Sequence, residues 1–544
     1  MTNLSRRTLL GALGLIPAAG LLAACDSDPA PTTTGSLVFD KTKYTSKTTT
    51  VTTAAGEVEV EYRLFSKIPY VAKPVDVDYQ SLTIAVPVTI AGKAVDASDA
   101  PILFEIPVGG YMSAKATDDP FAAGGGMPGG GMPGGLPSGM AGLPSGGPGG
   151  MGGLPSGMAG LPSGGPGGMG GLPTGAGSSG QNASAALAAG WVVVQVAARG
   201  RDNKTGDGKN FGTAPAVIVD LKAAIRYLKA NKGTVPGNTD KIVSDGTSAG
   251  GAVSTLLGAS GGSDLYTPYL TALGAADADD TIFAVAAYCP ITDLENADGA
   301  YEFLWGSLTS QATGKTVDQG IAKELSDAFT AYQKSLHLTG VDGKDLTADR
   351  YQDYLLTTYL QPAATKYLSE LSAADRAKYL SANAGIAWSG GKAVFTFADY
   401  LKHLGTRKKA QPAFDAFDLS AGENNEFGSA TTDTRHFTEF SLKNDTSGKS
   451  GTALDSDIPQ LLTLMNPMYF LTEKNAGRAK NWFFRVGTSD TDTSLTVLSN
   501  LVAGVTGLGD TVDALMYWDA GHAVNQDADK FIAWAGKVTG YTAG

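Results

Sequence analysis

From residue 190 onward, short, almost continuous apolar runs alternate with stretches of helical period. The runs are "GWVVVQVAARG" (190–200), "KIVSDG" (241–246), "TIFAVAAYCP" (281–290), "NWFFRVGTSD" (481–490) and "VDALMYWDAGH" (512–522). A strand that is apolar on both faces has to be covered on both, which is the situation of a central strand in a parallel sheet flanked by helices. The intervening segments supply such helices. "PAVIVDLKAAIRYLKANK" (215–232) is amphipathic and opens at a proline, "GAVSTLLGA" (251–259) follows the second run, and "ADKFIAWAGKV" (528–538) follows the last. The alternation predicts an α/β sheet.

Upstream the pattern differs. Residues 36–66 alternate polar and apolar (Val58, Val60, Tyr62, Leu64), as antiparallel strands at a sheet edge do, and "SLTIAVPVTI" and "APILFEIPVGG" read as further strands. Residues 123–180 are mostly Gly, Met, Pro and Ser, and "LPSGMAGLPSGGPGGMGG" occurs twice, at 136–153 and 154–171. Such a segment has too little apolar area to offset its ordering entropy, so a disordered insertion is expected. Its methionines, Met132 and Met140 among them, could be read as Cu(I) ligands. A flexible spacer has the same composition without any ligand geometry, and no metal or other cofactor is expected.

Between Cys289 and Trp482 the chain is helix-rich and aromatic, as in "RYQDYLLTTYLQ" and "AADRAKYLSANAG". The economical interpretation is a helical lid inserted into one α/β domain, although a separate second domain would look similar. The expected division is a core in three parts (26–122, 181–298 and 479–544), a low-complexity insertion at 123–180 and a lid at 299–478.

Residues 1–25 read as an address. Arg6-Arg7 precedes a short apolar stretch, and Leu22-Ala23-Ala24-Cys25 has the form of a lipobox, which predicts lipidation of Cys25 and an extracytoplasmic, membrane-tethered protein exported by the twin-arginine route. With Cys25 lipidated, only Cys289 remains, in an apolar run that suits a buried structural thiol. The chain carries 41 basic and 53 acidic residues, a net charge of −12, which argues against a nucleic-acid partner.

The chemistry centres on Gly246-Thr247-Ser248-Ala249-Gly250, which lies between a strand and a helix. That setting is what a nucleophile elbow requires, whereas the similar Gly258-Ala259-Ser260-Gly261-Gly262 has no strand before it. A serine hydroxyl needs a base beside it. Of His337, His403, His436 and His522, only His522 follows a late strand and precedes a closing helix; the other three fall in the lid, where structural roles are expected. The acid should leave the end of the preceding strand, where Asp490 and Asp492 stand; Asp490, the first after the strand, is expected to orient His522. Two N–H donors must receive an oxyanion, and Ala249 with the Gly109-Gly110-Tyr111 loop can supply them, Gly110 and Tyr111 being the loop candidates.

Several segments together resemble the bacterial tannases, α/β-hydrolases that cleave galloyl esters. They are "SKIPYVAKPVDVDYQSLTIAVPV", "PVGGYMSA", "AARGR", "APAVIVDLKAAIRYLKAN", "SDGTSAGGA", "AAYCPITDLENAD", "PAFDAFDLS" and "VGTSDTDTS", spread over most of the chain outside the Gly/Met-rich segment. The resemblance implies an α/β-hydrolase fold, a triad on Ser248, Asp490 and His522, and contact of Asp492 with phenolic hydroxyls of the acyl group. It also implies a lysine and a glutamate of the lid on those hydroxyls. Lys409 and Glu423 match best, with Lys408 and Glu426 as neighbours that could take the same places. A serine esterase releasing a phenolic acid such as gallate is expected, its partner being a small phenolic ester. The alternatives are a feruloyl esterase, a serine peptidase, and an inactive hydrolase-fold surface binding protein.

Overall fold

The computed structural model describes residues 36–53, 56–122 and 178–542. The signal reading, Cys25 and all but the last three residues of the 123–180 insertion lie outside them. Among the described residues, nine strands follow one another across the main sheet. They are β1 (Thr45–Thr53), β2 (Gly56–Pro69), β3 (Ser81–Ile90), β4 (Pro101–Ile106), β5 (Val192–Val196), β6 (Asn238–Thr247), β7 (Ala284–Tyr288), β8 (Asn481–Gly487) and β9 (Thr511–Tyr517). Their spatial order is β1-β2-β3-β5-β4-β6-β7-β8-β9, with a two-residue strand, Lys93–Ala94, paired to β3. β1 to β3 are antiparallel to their neighbours, including β3 against β5; from β5 to β9 every pairing is parallel. This is the α/β-hydrolase arrangement expected from the sequence.

The central strands are buried along their whole length, as in Val192–Val196 and Ala284–Tyr288, which is why they read as unbroken apolar runs. Edge strand β1 keeps most of its residues exposed and is rich in Thr. Neighbouring residues of β8 show that both faces are covered. Phe483 packs its ring against Phe531 of the helix Ala528–Thr539, while the indole of Trp482 lies beside Gly258 of the helix Ala249–Ala259.

The stretch between β7 and β8 is a helical insertion, as expected, but strands do not stop there altogether. It contains a small hairpin, Ala387–Ser389 with Lys392–Val394, and a parallel pair, Thr309–Ser310 with Thr406–Arg407. Its first helix, Leu294–Trp305, begins before the expected boundary at 299. The helix Ser178–Ala188 is a second difference: it begins inside the segment assigned to the low-complexity insertion and packs against the helix Ala528–Thr539. Among the described residues, no helix is long and apolar enough to cross a membrane.

Candidate active site

β6 ends in a tight turn into the helix Ala249–Ala259, and Ser248 sits at its apex with φ +60°. A side chain in that left-handed conformation costs on the order of 1–3 kcal/mol, which the surroundings must offset. They do so through close backbone packing. A Cβ on Gly246 would lie 2.2 Å from the Gly250 carbonyl oxygen, and one on Gly250 would lie 2.7 Å from that of Val108. The Ser248 N–H donates to the Tyr288 carbonyl at 2.9 Å, tying the apex to β7. Ser260, by contrast, caps the far end of the helix and is fully buried.

The hydroxyl of Ser248 lies 2.8 Å from Nε2 of His522, and Nδ1 of His522 donates to Oδ2 of Asp490 at 2.8 Å. Asp490 is buried, and its other oxygen accepts the N–H of Asp492 at 2.9 Å. Both of its oxygens are therefore committed. Asp492 stands further off, 3.9 Å from Nδ1. The loops that carry acid and base are stitched together: Thr488 N–H donates to Tyr517 O and Ser489 N–H to Ala520 O, each at 2.9 Å. A Cβ on Gly487 would come within 2.0 Å of the Ala520 oxygen, so only glycine lets these loops approach. Burial is the largest single influence on His522 and disfavours the imidazolium, but Asp490 and Cys289 together outweigh it and hold the ring above its ordinary pKa.

Across from the elbow, the loop after β4 turns through Gly110 (φ +57°) and Tyr111 (φ +56°). The contact of Gly250 with Val108 sets this loop beside Ala249, whose N–H, at the first helical position, has no partner inside its helix. The Tyr111 side chain is buried and donates to Ile291 O at 2.9 Å.

The insertion forms the remaining wall. Lys408 Nζ contacts both oxygens of Asp492, at 2.8 and 2.9 Å, and Lys409 Nζ lies 3.4 Å from Glu423 and over the Phe414 ring. Glu426 is buried near Glu423 and Arg201, and neither of its carboxylate oxygens has a hydrogen-bond partner; burial pushes its carboxyl well up. Tyr301 connects the two sides, accepting from the Lys409 N–H at 3.1 Å and donating to Thr491 O at 2.7 Å. Among the described residues, one group of side chains has the chemistry and spacing of metal ligands, Cys289, Asp490 and His522, with donor atoms within 4.8 Å of one another. Two of the three are already hydrogen-bonded together.

Known structures share this fold over nearly the whole chain. A tannin acyl hydrolase from Lactobacillus plantarum is 32% identical, with 92% of this chain and 99% of that one aligned at a TM-score of 0.73. A tannase of Fusobacterium nucleatum is 31% identical over 93% of this chain and 99% of its own, at a TM-score of 0.72. A tannin acyl hydrolase bound to ethyl gallate is 31% identical over 92% and 99%, at 0.73. The chain belongs to the tannin acyl hydrolase family. The BD-FAE family model also matches residues 174–339. A comparison with curated protein sequences found no match.

Membership in the tannin acyl hydrolase family marks the protein as a carboxylic ester hydrolase. The structure brings Ser248, Asp490 and His522 into one hydrogen-bonded chain and pairs Lys409 with Glu423, whereas the carboxylate of Glu426 is buried without a hydrogen-bond partner. Three features escaped the sequence reading. Lys408 meets Asp492, Cys289 abuts the histidine it was not connected with, and Arg201 grips the loop at Gly110. The "AARGR" stretch carried the only signal for Arg201, an arginine five residues past the end of a buried strand.

Proposed function

We propose that the protein is a serine esterase that hydrolyses galloyl esters through an acyl-enzyme. The observation that carries this reading is the Ser248–His522–Asp490 chain, two 2.8 Å hydrogen bonds at the carboxyl ends of the parallel strands, facing a wall of paired charges. Neutral His522 takes the Ser248 proton as the oxygen attacks the ester carbonyl. The N–H groups of Ala249 and of the Gly110–Tyr111 loop receive the oxyanion. His522 then returns the proton to the leaving alcohol, and water, activated by the same ring, releases the acid and restores the serine.

Asp492, Lys409 and Glu423 supply a carboxylate, an ammonium and a second carboxylate, a set that can bind adjacent phenolic hydroxyls as acceptors and donor. Relatives at 31% and 32% identity are described in complex with ethyl gallate and with 3,4-dihydroxybenzoate, which supports the same acyl class here. The test is a panel of methyl gallate, methyl protocatechuate and methyl ferulate with the native protein and Ser248→Ala. Native protein should favour the first two esters, and the variant should lose about four to six orders of magnitude in rate while keeping its fold. Equal turnover of methyl ferulate and methyl gallate would replace this reading with a feruloyl esterase. The sequence signals at Arg6-Arg7 and Cys25 further support an exported lipoprotein; Cys25→Ala should move the protein from the membrane to the soluble fraction.

A further inference from the structure

We infer that Arg201 is the positioning residue of the oxyanion loop: it holds the Gly110–Tyr111 peptide with the Tyr111 N–H turned toward the reacting carbonyl, and braces that loop against the segment carrying Glu423. The inference rests on the esterase reading above and assigns a part to a residue outside the triad and the acyl wall.

Arg201 lies just past β5 and holds two successive carbonyls of the loop. Its Nε donates to Gly110 O at 2.7 Å, and its backbone N–H donates to Tyr111 O at 3.0 Å. In a trans peptide the C=O and the following N–H point in opposite directions, so anchoring the Gly110 carbonyl on the guanidinium directs the Tyr111 N–H to the other side. That orientation needs an anchor. Gly110 and Tyr111 both have φ near +57°, and Tyr111, unlike glycine, is strained there; a peptide flip would relieve it if the carbonyl were free. A cationic donor also polarises the peptide it binds, which strengthens the N–H at its other end. The next residue tightens the grip, because the Asp202 carboxylate accepts from both the N–H and the hydroxyl of Ser113.

The same guanidinium reaches the acyl wall. Nη1 donates to Asn425 Oδ1 at 3.3 Å, and the group lies against Gly422, where a Cβ would come within 2.9 Å of Nη2. Gly422 and Asn425 flank Glu423 in one short helix, Gly422–Glu426. A single side chain thus joins the loop that would receive the oxyanion to the turn that would hold the phenolic hydroxyls.

The test compares native protein, Arg201→Ala and Arg201→Lys in methyl gallate kinetics, in the rate at which a serine-directed phosphonate labels Ser248, in melting temperature, and with added guanidinium chloride at millimolar, non-denaturing levels. Loss of one oxyanion donor typically lowers kcat by about a hundredfold or more. Arg201→Ala should lose kcat and labelling rate on that scale, keep KM within about threefold, and recover at least tenfold with guanidinium; Arg201→Lys should fall between. An unchanged kcat and labelling rate, a loss confined to KM, or a loss that guanidinium does not restore would each overturn the inference. Should Arg201→Ala not fold, Arg201→Lys decides by the same split between kcat and KM. If the phosphonate fails to label Ser248 in the native protein, it is the esterase reading that falls.

Discussion

His522 and the two aspartates near it can be separated by experiment, because each has its own hydrogen-bond partners. As the proposed base, His522 must be neutral to accept the serine proton, and its pKa is held above the ordinary value of about 6.5 by Asp490 and Cys289 against the effect of burial. The acid limb of kcat/KM should therefore lie above pH 6.5, activity being lost as pH falls through the raised pKa. In Asp490→Asn that limb should move down, and kcat should drop by about four orders of magnitude for every ester, since the amide favours the wrong tautomer. Asp492→Asn should leave the limb in place and slow methyl gallate more than methyl benzoate, because Asp492 bonds Lys408 rather than the histidine. A pH–rate profile of both variants on both esters checks this. If Asp492→Asn shifts the limb and slows both esters alike, the two roles are exchanged.

At the level of elements, the insertion is held together internally by buried groups. Arg407 and Glu302, both completely buried, form a two-pronged ion pair at 2.6 and 2.8 Å that fixes the strand leading into Lys408 and Lys409 against the helix Leu294–Trp305. Removing one partner leaves an uncompensated charge, so Glu302→Ala should destabilise by about 3–5 kcal/mol, whereas Arg407→Met with Glu302→Leu should recover most of that, as read by denaturant unfolding. That pair also shows where reading the sequence stops. Central strands such as Val192–Val196 announce themselves because burial on two faces leaves one residue class. The elbow is visible because glycines are needed where backbones touch, and His522 because it follows a strand. Contacts across 105 residues, as between Arg407 and Glu302, leave no local trace, since a buried arginine is spelled like an exposed one. The helix Ser178–Ala188 was missed because its amphipathic period is weak and it starts inside a Gly/Ser-rich stretch.

For the molecule as a whole, buried carboxyls set how stability responds to pH. Burial raises Glu105, Asp293 and Asp298 to about 7, and Asp245 and Glu426 further. A carboxyl with a raised folded pKa binds more protons in the native than in the unfolded state from about pH 4 upward, so stability falls as pH rises through that window. His436, raised by Asp415 and Asp445 against burial, loses its contribution in the same direction above its unfolded pKa. The exposed aspartates whose pKa is lowered are ionised in both states above about pH 5 and do not oppose the trend there. The melting temperature should be higher at pH 5 than at pH 8, and Glu105→Gln should flatten the slope; a rise toward pH 8 would contradict the assignment. The order of the sheet has a consequence for how the protein is made. Ser248 and the histidine bonded to it are 274 residues apart in the chain, and the base follows β9, the strand at the sheet's far edge. A ribosome that has just translated the elbow has produced a serine with no base, and the hydroxyl stays inert until β9 is synthesised and docks on β8.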